Sequence, residues 1–301
     1  MLSHPRHDRE RFFKYTSATT AIKILQVGAV RYSSPLIFND PFDVQAGLHF
    51  DFAIGSLPDK LFKRIEDLVA SSTRPNLSVD DPWGQAVLFM WDRRITQGFP
   101  RERLWEACEL PLKELKDKII HFQVKYQHKW KEFLPRLRVF SVCEERDNLL
   151  MWSHYGKSHT GVVFEFLVLP DEDNPLCVAE PVVYRSAPPP FFTEQQWLDD
   201  ILGVRDLDVD DLYFRYARVK SDVWSYEKEW RVWDLLPHRQ DSFFSDYRLR
   251  PNEVGSVYLG CNMDPKLKES FVTLLSANYP KSRIFQARRG TDQFRLYFDA
   301  I

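Results

Sequence analysis

The sequence has few cysteines and no long apolar run. Its four cysteines (Cys108, Cys143, Cys177 and Cys261) form no Cys-x-x-Cys pair. Such spacing is typical of reduced, mostly buried thiols in an intracellular protein, so no cysteine metal site is predicted. No apolar run approaches the roughly 20 residues of a membrane span, and the first residues have no apolar signal region. These absences predict a soluble, cytoplasmic protein without membrane association.

The sequence also has no large excess of charge and no common nucleotide or hydrolase motif. It contains 41 Lys and Arg against 43 Asp and Glu, a formal net charge of -2. A global positive field for nucleic acid is therefore absent, although a local basic groove remains compatible with this balance. There is no P-loop, GxGxxG, HExxH or GxSxG pattern. Nucleoside-triphosphate, dinucleotide-fold, zinc-peptidase and hydrolase functions are correspondingly disfavoured.

The order of the patterns predicts an α+β fold. The N-terminal part alternates strand, short helix and strand, with Ser17 as the helix cap and Gly28 as its stop. Helical periodicity then dominates a segment of about 57–135, with Pro111 near a helix break. Strand patterns such as Val162 to Val168 follow, in which Phe164, Phe166 and Val168 share one face. Thr193 and Gln196 form a capping box that opens a later helix, and most of the aromatic residues are expected in the core. No linker divides the chain. We therefore predict one domain over 1–301, with a mixed, largely antiparallel central sheet flanked by helices and a helical insertion at about 57–135.

The first candidate functional cluster is Asn39-Asp40-Pro41, which lies between Phe38 and Phe42. Asn and Asp side chains hold turns by bonding backbone amides, and proline fixes the following dihedral angle. The cluster is thus either a structural turn or a loop that offers polar contacts to a ligand.

The second cluster runs from Asp147 to Gly156 and includes Trp152, His154 and Tyr155. It is either a helical turn that packs Trp152 into the core or part of a binding site. A tyrosine can stack on a flat ring, and a histidine can donate to a phosphate or hydroxyl.

The third cluster is Glu227-Lys228-Glu229-Trp230-Arg231. If a strand begins near Glu227, the two glutamates and Arg231 share one face, while Trp230 faces the core. Glu229 and Arg231 would lie roughly 7 Å apart along the strand. They form either a solvated charged face or a carboxylate and a cation directed at one ligand.

Short pieces spread along the chain together resemble the bacterial domain-of-unknown-function family 2971. They are Phe13-Lys14-Tyr15, Tyr32–Pro35, Phe38–Asp43, Phe140–Cys143, Asn148–Tyr155, His159–Gly161, Lys220, Trp224, Tyr226–Arg231 and Tyr258–Gly260. The resemblance spans most of the chain outside the helical insertion. Because the family has no established activity, the resemblance implies which residues are functional but does not imply a particular function.

A more distant resemblance concerns the order of the N-terminal elements. A strand with Lys14-Tyr15, a short helix ending at Gly28 and a strand leading to Ser34-Pro35 are similar to the NAD-binding half of ADP-ribosyltransferases that modify nucleic acid or remove a phosphate from transfer RNA. Those enzymes place a His or Arg on the first strand, a Tyr or Ser in the middle and a Glu late in the chain. Lys14 departs from that pattern, and the middle motif is not reproduced cleanly.

This second resemblance implies NAD as the ligand and a set of site residues. Glu227-Lys228-Glu229 resembles the paired glutamates of arginine-specific members. The implied catalytic residues are Glu229, Glu227, His154 and Tyr155. The implied cofactor-binding residues are Lys14, Tyr15, Ser34, Asn39, Asp40, Trp152 and Arg231.

Three functions remain open from the sequence. The first is an ADP-ribosyltransferase that uses NAD to modify a macromolecular acceptor, protein or nucleic acid, with a possible partner protein in a bacterial stress, phage-defence or toxin system. The second is a metal-dependent nuclease or phosphodiesterase, with Asp40, Glu165, Glu227 or Glu229 around Mg²⁺ and Lys220 on phosphate. The third is a non-catalytic ligand-binding sensor or accessory protein.

Overall fold

The computed structural model describes residues 6–78, 80–98, 100–172, 174–205 and 207–301, apart from the side chains of Arg101 and Lys116. The sequence prediction for Met1–Pro5 thus lies outside the described residues. The strands are β1 (Arg11–Thr16), β2 (Ala29–Ser33), β3 (Leu137–Cys143), β4 (Val162–Leu167), β5 (Glu180–Pro181), β6 (Val183–Arg185), β7 (Val219–Ser221), β8 (Glu229–Leu235), β9 (Phe244–Arg248), β10 (Val254–Leu259), β11 (Arg283–Arg289) and β12 (Leu296–Ala300). The helices are α1 (Ala18–Val27), α2 (Leu57–Ala70), α3 (Pro82–Gln97), α4 (Arg101–Phe133), α5 (Leu149–His154), α6 (Glu194–Ile201), α7 (Val209–Ala217) and α8 (Pro265–Asn278). Within the described ranges, no helix is both long and apolar enough to cross a membrane.

The chain divides into two compact units. The first comprises the chain up to Gln45 with Phe133–Ala187 and Arg218–Ile301, and the second comprises Ala46–Glu132 with Pro188–Ala217. The predicted helical insertion falls almost wholly in the second unit. That unit also takes in α6 and α7, which the sequence did not group with the insertion. The single domain over 1–301 stays a prediction.

The first unit is built on a ten-stranded sheet. Its order is β12-β11-β10-β4-β1-β3-β2-β9, with β8 paired to β3 and β5 paired to β8. The β10–β11 pair is parallel, whereas the other pairs of this sheet are antiparallel. The predicted α+β fold with a mixed, largely antiparallel sheet is therefore confirmed.

Helices cover both faces of this sheet because its strands alternate apolar side chains. Phe164 and Phe166 of β4 pack on one face with Phe271 of α8. Val163 packs on the opposite face with Trp152 of α5. The predicted common face of Phe164, Phe166 and Val168 is confirmed, since all three belong to the same hydrophobic core cluster as Phe271.

The predicted helix ends of α1 are confirmed by its capping geometry. Ser17 precedes the helix, and its side chain accepts a hydrogen bond from the amide of Thr20. Gly28 follows with φ of 65°, a left-handed conformation in which glycine avoids the strain of a Cβ. Thr193 and Gln196 likewise form the predicted capping box of α6.

Two elements differ from the sequence expectation. Pro111 was expected near a helix break, but it lies inside the continuous helix α4. The helix continues because Cys108, Leu112, Leu115 and Ile119 form a buried stripe at helical spacing. The second difference is β9, an exposed strand that alternating apolar residues did not reveal; pairing with β2 holds it in place.

The second unit is rich in packed aromatic rings. Phe50 and Phe52 contact Phe192, and Tyr213 stacks on both Phe191 and Trp130. Most of the aromatic content was expected to be core, and these contacts explain how loop residues near 50 and 191 contribute to it.

Candidate functional site

A pocket of about 170 Å³ opens in the first unit where β1 and β3 separate. Residues from β1, β3, α5, the 35–45 loop and the segment before β8 line it. They are Phe13, Lys14, Tyr15, Phe38, Asn39, Asp43, Ser141, Val142, Cys143, Met151, Tyr155, Lys220, Glu227 and Glu229. Segments far apart in the sequence therefore meet at one opening in the sheet.

The pocket exists because β1 and β3 share only a short stretch of ladder. Their register has a single residue pair, Phe13 with Cys143. Next to it, the Lys14 ammonium donates to the carbonyl oxygen of Ser141 at 2.6 Å. Buried backbone carbonyls need a donor, and here a side chain supplies it. The strands can thus separate without leaving that carbonyl unsatisfied.

Five charged side chains form what we call the buried ion cluster: Asp43, Lys220, Glu227, Glu229 and Arg231. Lys220 lies at its centre. Its Nζ donates to Glu227 Oε2 at 2.5 Å and to Glu229 Oε2 at 3.0 Å. The same nitrogen lies 3.5 Å from Asp43 Oδ2. One lysine therefore links the three carboxylates.

Arg231 completes the cluster from behind the pocket. Its Nε donates to Glu229 Oε1 at 2.8 Å and its Nη2 to Glu229 Oε2 at 3.1 Å, a two-pronged contact. Nη2 also donates to Asp43 Oδ2 at 2.6 Å. The guanidinium has no exposed surface. Because its fork is fixed and fully buried, it holds Glu229 and Asp43 in one orientation.

The electrostatics separate the two glutamates of the cluster. Burial opposes ionisation of Glu229, but the charges of Arg231 and Lys220 outweigh it and lower the pKa of Glu229. For Glu227, burial is the dominant influence and raises the pKa, with Lys220 opposing and Glu229 reinforcing the rise. Environments that push the pKa values of two carboxyl groups apart suit them to different roles in acid–base chemistry. The surroundings therefore favour the ionised form of Glu229 and disfavour that of Glu227.

Burial acts on the pKa values of the two cations in the opposite direction to its effect on the glutamates. Burial alone would lower the pKa of Lys220, but Glu229, Asp43 and Glu227 raise it. Glu229 and Asp43 likewise raise the pKa of Arg231 against its burial. Both side chains therefore stay charged.

Tyr155 connects Glu227 to the second cluster predicted from the sequence. Its hydroxyl donates to Glu227 Oε1 at 2.7 Å. Burial and the charge of Glu227 raise the pKa of Tyr155, so the phenol keeps its proton. The ring is only partly buried and lines the pocket. Tyr155 can thus orient Glu227 and offer a ring face to a ligand.

Asp43 leaves one hydrogen-bonding position open. Its Oδ2 contacts Lys220 and Arg231, whereas its buried Oδ1 has no partner within the part of the chain that is described. Asp43 is only 3 % exposed and lines the pocket. A buried carboxylate oxygen without a partner is costly, so a ligand donor there would be stabilising.

On the wall formed by β1 and β3, burial shifts the pKa values of ionisable side chains in the direction that disfavours the charged form. Burial lowers the pKa of Lys14 despite the nearby Glu229 charge. Burial raises the pKa of Cys143 to about 12, so its thiol stays protonated. Tyr15 is tied down because its hydroxyl donates to the Glu145 carbonyl and accepts from the Asn148 amide.

The structure brings together most of the residues singled out from the sequence. Those that line the pocket are Lys14, Tyr15, Asn39, Tyr155, Glu227 and Glu229, with Arg231 directly behind them. Trp230 and Val232 enter the core on the other face of β8, as the alternation predicted. The strand, however, begins at Glu229 and not near Glu227. Lys228 has φ of 45°, which interrupts the extended backbone, and Glu227 reaches the cluster from a 3₁₀ turn.

Besides Arg231, four predicted site residues do not line the pocket. His154 is exposed at the end of α5. Trp152 is fully buried, and its indole nitrogen donates to the Arg146 carbonyl at 2.8 Å. Ser34 is also fully buried, and its hydroxyl donates to the Leu134 carbonyl. Asp40 accepts from the amide of Phe42 at 2.9 Å, as the structural-turn interpretation of this cluster requires.

Sequence reasoning did not select Asp43, Ser141 and Cys143 for the site, and it considered Lys220 only as a phosphate contact. Asp43 closes the turn that begins at Asp40, since its amide donates to the Asp40 carbonyl. Lys220 sits in the three-residue strand β7, which is too short to show alternation. The signal that could have pointed to Asp43 and Lys220 was their presence in the pieces of sequence that resemble family 2971.

The metal-dependent hypothesis receives no support from the arrangement of carboxylates. Among the described side chains, no group of three or more His, Cys, Asp or Glu is placed to hold a metal ion. Glu165, one of the proposed ligands, accepts instead from Tyr258 at 2.8 Å and from Arg11 at 3.0 Å. The carboxylates of the buried ion cluster are already paired with Lys220 and Arg231.

Comparison with known proteins supports the resemblance to the uncharacterised family. The family model described as protein of unknown function (DUF2971) matches residues 151–232. This match confirms that resemblance over the stretch that contains Tyr155, Lys220, Glu227, Glu229 and Arg231. No curated protein and no solved structure matches the chain.

Proposed function

We propose that the pocket is the active site of an ADP-ribosyltransferase-like enzyme that consumes NAD. The observation that carries the proposal is convergence. Lys14 of the first strand, Tyr155 of the middle segment and the late Glu227 and Glu229 line one pocket. This is the order of functional segments that the resemblance to ADP-ribosyltransferases implies.

The size of the pocket suits one end of such a ligand. A volume of about 170 Å³ is below the roughly 300–1,000 Å³ of pockets that enclose a whole drug-sized molecule. It accommodates a single ring with its attached sugar carbon, and the rest of a dinucleotide would lie at the mouth. Phe13, Phe38 and Tyr155 supply aromatic surface for a flat ring.

In the proposed reaction, the bond from the ribose carbon to nicotinamide breaks, nicotinamide leaves with the electron pair, and a nucleophile of the acceptor forms the new bond. Glu229, held ionised by Arg231 and Lys220, would stabilise the positive charge that develops on the ribose. Glu227 would accept the proton of the attacking nucleophile, because its raised pKa matches a general base.

The geometry changes the roles first considered for the cations. Arg231 is fully buried and its donors are occupied by Glu229 and Asp43, so it serves to position Glu229 rather than to hold a pyrophosphate. Lys14 lines the pocket, so its amine is nearer to an incoming ligand than the Arg231 guanidinium. Tyr155 orients Glu227 through its hydroxyl.

The test is nicotinamide release from NAD labelled in the nicotinamide ring, with protein, RNA and DNA offered as acceptors. We expect Glu227→Gln to lower the rate by about 100-fold or more, as for loss of a general base. Glu269→Gln on the exposed face of α8 is the matched control and should leave the rate unchanged. Thermal melting of each variant separates lost chemistry from lost folding. The proposal fails if the wild type releases no nicotinamide with any acceptor, or if Glu227→Gln matches the wild type.

A non-catalytic sensor is the second candidate, and one observation favours it. Glu229 is held by three hydrogen bonds from two cations, which is also what a rigid binding wall requires. Calorimetric titration with NAD and with nicotinamide distinguishes the two functions. Binding that Glu227→Gln weakens, without nicotinamide release in long incubations, would establish the sensor.

A further inference from the structure

A second, larger depression lies in the first unit between the start of α8 and the β11–β12 hairpin. We call it the hairpin groove. It has a volume of about 840 Å³ and is open to solvent. The residues that line it are Cys261, Met263, Pro265, Lys268, Gln286, Ala287, Arg288, Arg289, Gly290, Thr291 and Asp299. None of them belongs to the pocket described above.

The charges of the hairpin groove are predominantly positive. Lys268, Arg288 and Arg289 face a single carboxylate, Asp299. Arg288 Nε contacts Asp299 Oδ2 at 3.1 Å, but both side chains are more than half exposed. Such exposed pairs contribute little and exchange partners readily. Within the described part of the chain, neither Lys268 nor Arg289 has an ion-pair partner, so their charge is available to an anion.

The turn of the same hairpin presents an aromatic side chain to solvent. Phe294 is 100 % exposed, the highest value among the exposed large apolar residues described. The turn that carries it is closed by a hydrogen bond from the Gly290 amide to the Arg295 carbonyl at 2.9 Å. A few residues on, Tyr297 lies beneath the guanidinium groups of Arg288 at 5.0 Å and Arg295 at 4.2 Å.

We infer that the hairpin groove binds single-stranded nucleic acid. Surfaces of this kind combine a positive groove that follows the backbone with aromatic rings on which unpaired bases stack. Here Lys268, Arg288 and Arg289 supply the charge, and Phe294 on the adjoining hairpin turn supplies the ring. A duplex keeps its bases stacked inside. Its phosphates could therefore contact the basic side chains, but its bases could not stack on Phe294. The net charge of -2 means that the attraction is local to this surface.

This inference is independent of NAD chemistry, because it concerns binding at residues outside the pocket. The experiment is fluorescence anisotropy with labelled oligouridylate and oligothymidylate, each with its duplex counterpart and with polyglutamate of similar length. We expect saturable binding of the single strands that weakens steeply with salt. The affinities for oligouridylate and oligothymidylate then show whether the groove prefers single-stranded RNA or single-stranded DNA.

Two variants test the two parts of the surface. Arg288→Gln with Arg289→Gln should weaken binding at least tenfold and lower the salt slope by about 0.7 for each lost phosphate contact. Phe294→Ala should weaken binding about tenfold while leaving the salt slope unchanged. Arg31→Gln and Phe243→Ala, exposed residues around β2 and β9, are the matched controls and should bind like wild type.

Several results would overturn the inference. They are the absence of single-strand binding at low salt, equal binding of polyglutamate, equal binding of duplexes with no effect of Phe294→Ala, and wild-type affinity of the double arginine variant. All five substituted residues are exposed, so circular dichroism should show unchanged folding.

Discussion

The buried ion cluster and the hairpin groove both concentrate charge in the first unit, but they do so in opposite ways. In the cluster, no side chain is more than 7 % exposed, and two cations are paired with three carboxylates. In the groove, Arg288 and Asp299 are 59 % and 58 % exposed, and the positive charges outnumber the negative ones.

The difference follows from the cost of removing an ion from water. A buried charge without partners is strongly destabilising, so the chain must supply the partners itself. An exposed charge stays hydrated and needs none, which leaves it free for a molecule that arrives from outside. The cluster therefore fixes the geometry of a site, whereas the groove offers attraction without a fixed geometry.

The largest expected effect on stability is that of Arg231→Gln in the buried ion cluster. The substitution removes one of the two buried cations that contact Asp43 and Glu229, and we expect it to lower the free energy of unfolding by about 3–5 kcal/mol. Arg31→Gln, which removes an exposed pair with Asp246, should lower it by less than about 1 kcal/mol. Urea denaturation of both variants measures the difference, and equal losses would contradict the contrast.

The two glutamates should respond to pH with opposite signs. The pKa of Glu229 is lowered in the folded protein, so its stabilising contribution is present above the ordinary carboxyl pKa and is lost as pH falls through the folded value. Glu229→Gln should therefore cost about 2 kcal/mol at neutral pH and progressively less in acid.

Glu227 has a raised pKa, so its contribution is complete below the ordinary carboxyl pKa and is lost as pH rises through the folded value. The penalty of Glu227→Gln should accordingly shrink as pH rises from acid to neutral. Unfolding measured across this range checks both, and parallel pH profiles for the two variants would contradict the assignment.

A smaller effect is expected from Tyr155→Phe. It removes the hydroxyl that donates to Glu227, at a cost of about 1 kcal/mol in unfolding free energy. Because that hydrogen bond favours the ionised carboxyl, its loss should raise the pKa of Glu227 further. Carbon NMR titration measures the shift. Tyr184→Phe is the control, since the Tyr184 hydroxyl accepts from the Glu229 amide and leaves the Tyr155 contact intact.

The smallest effect on folding is expected in the groove. Arg289→Gln should change the free energy of unfolding by no more than about 0.5 kcal/mol, because the side chain has no ion-pair partner among the described residues. The same variant should still weaken binding of single strands. A loss of stability comparable to that of Arg231→Gln would show that the groove is a structural feature.

Some features of the site were predictable from local patterns. Strand alternation predicted that Trp230 enters the core and that Glu229 and Arg231 share a face, and it did so because consecutive strand residues point to opposite sides. What it did not predict is that the two would bind each other instead of facing a common ligand. That outcome depends on how deeply β8 is buried by β3 and β5, which no local pattern reports.

Other features depended on which side chains of the short helix α5 face the core, the pocket or solvent. The cluster from Asp147 to Gly156 was interpreted either as a helical turn packed into the core or as part of a binding site, and the structure combines the two. Trp152 packs into the core, Tyr155 faces the pocket and His154 faces solvent. A helix of six residues has too little periodicity to show its buried face in advance.

By itself, the sequence determined the α+β class, the caps of α1 at Ser17 and Gly28, the apolar faces of the strands and the segments in which the site lies. Local backbone preferences and side-chain periodicity are sufficient for these. Only the tertiary structure decided that Asp43, 188 positions from Arg231, would share its charge, and that Lys220 would link three carboxylates. Charges that leave water need partners, and folding alone determines which of the distant charges are close enough to serve.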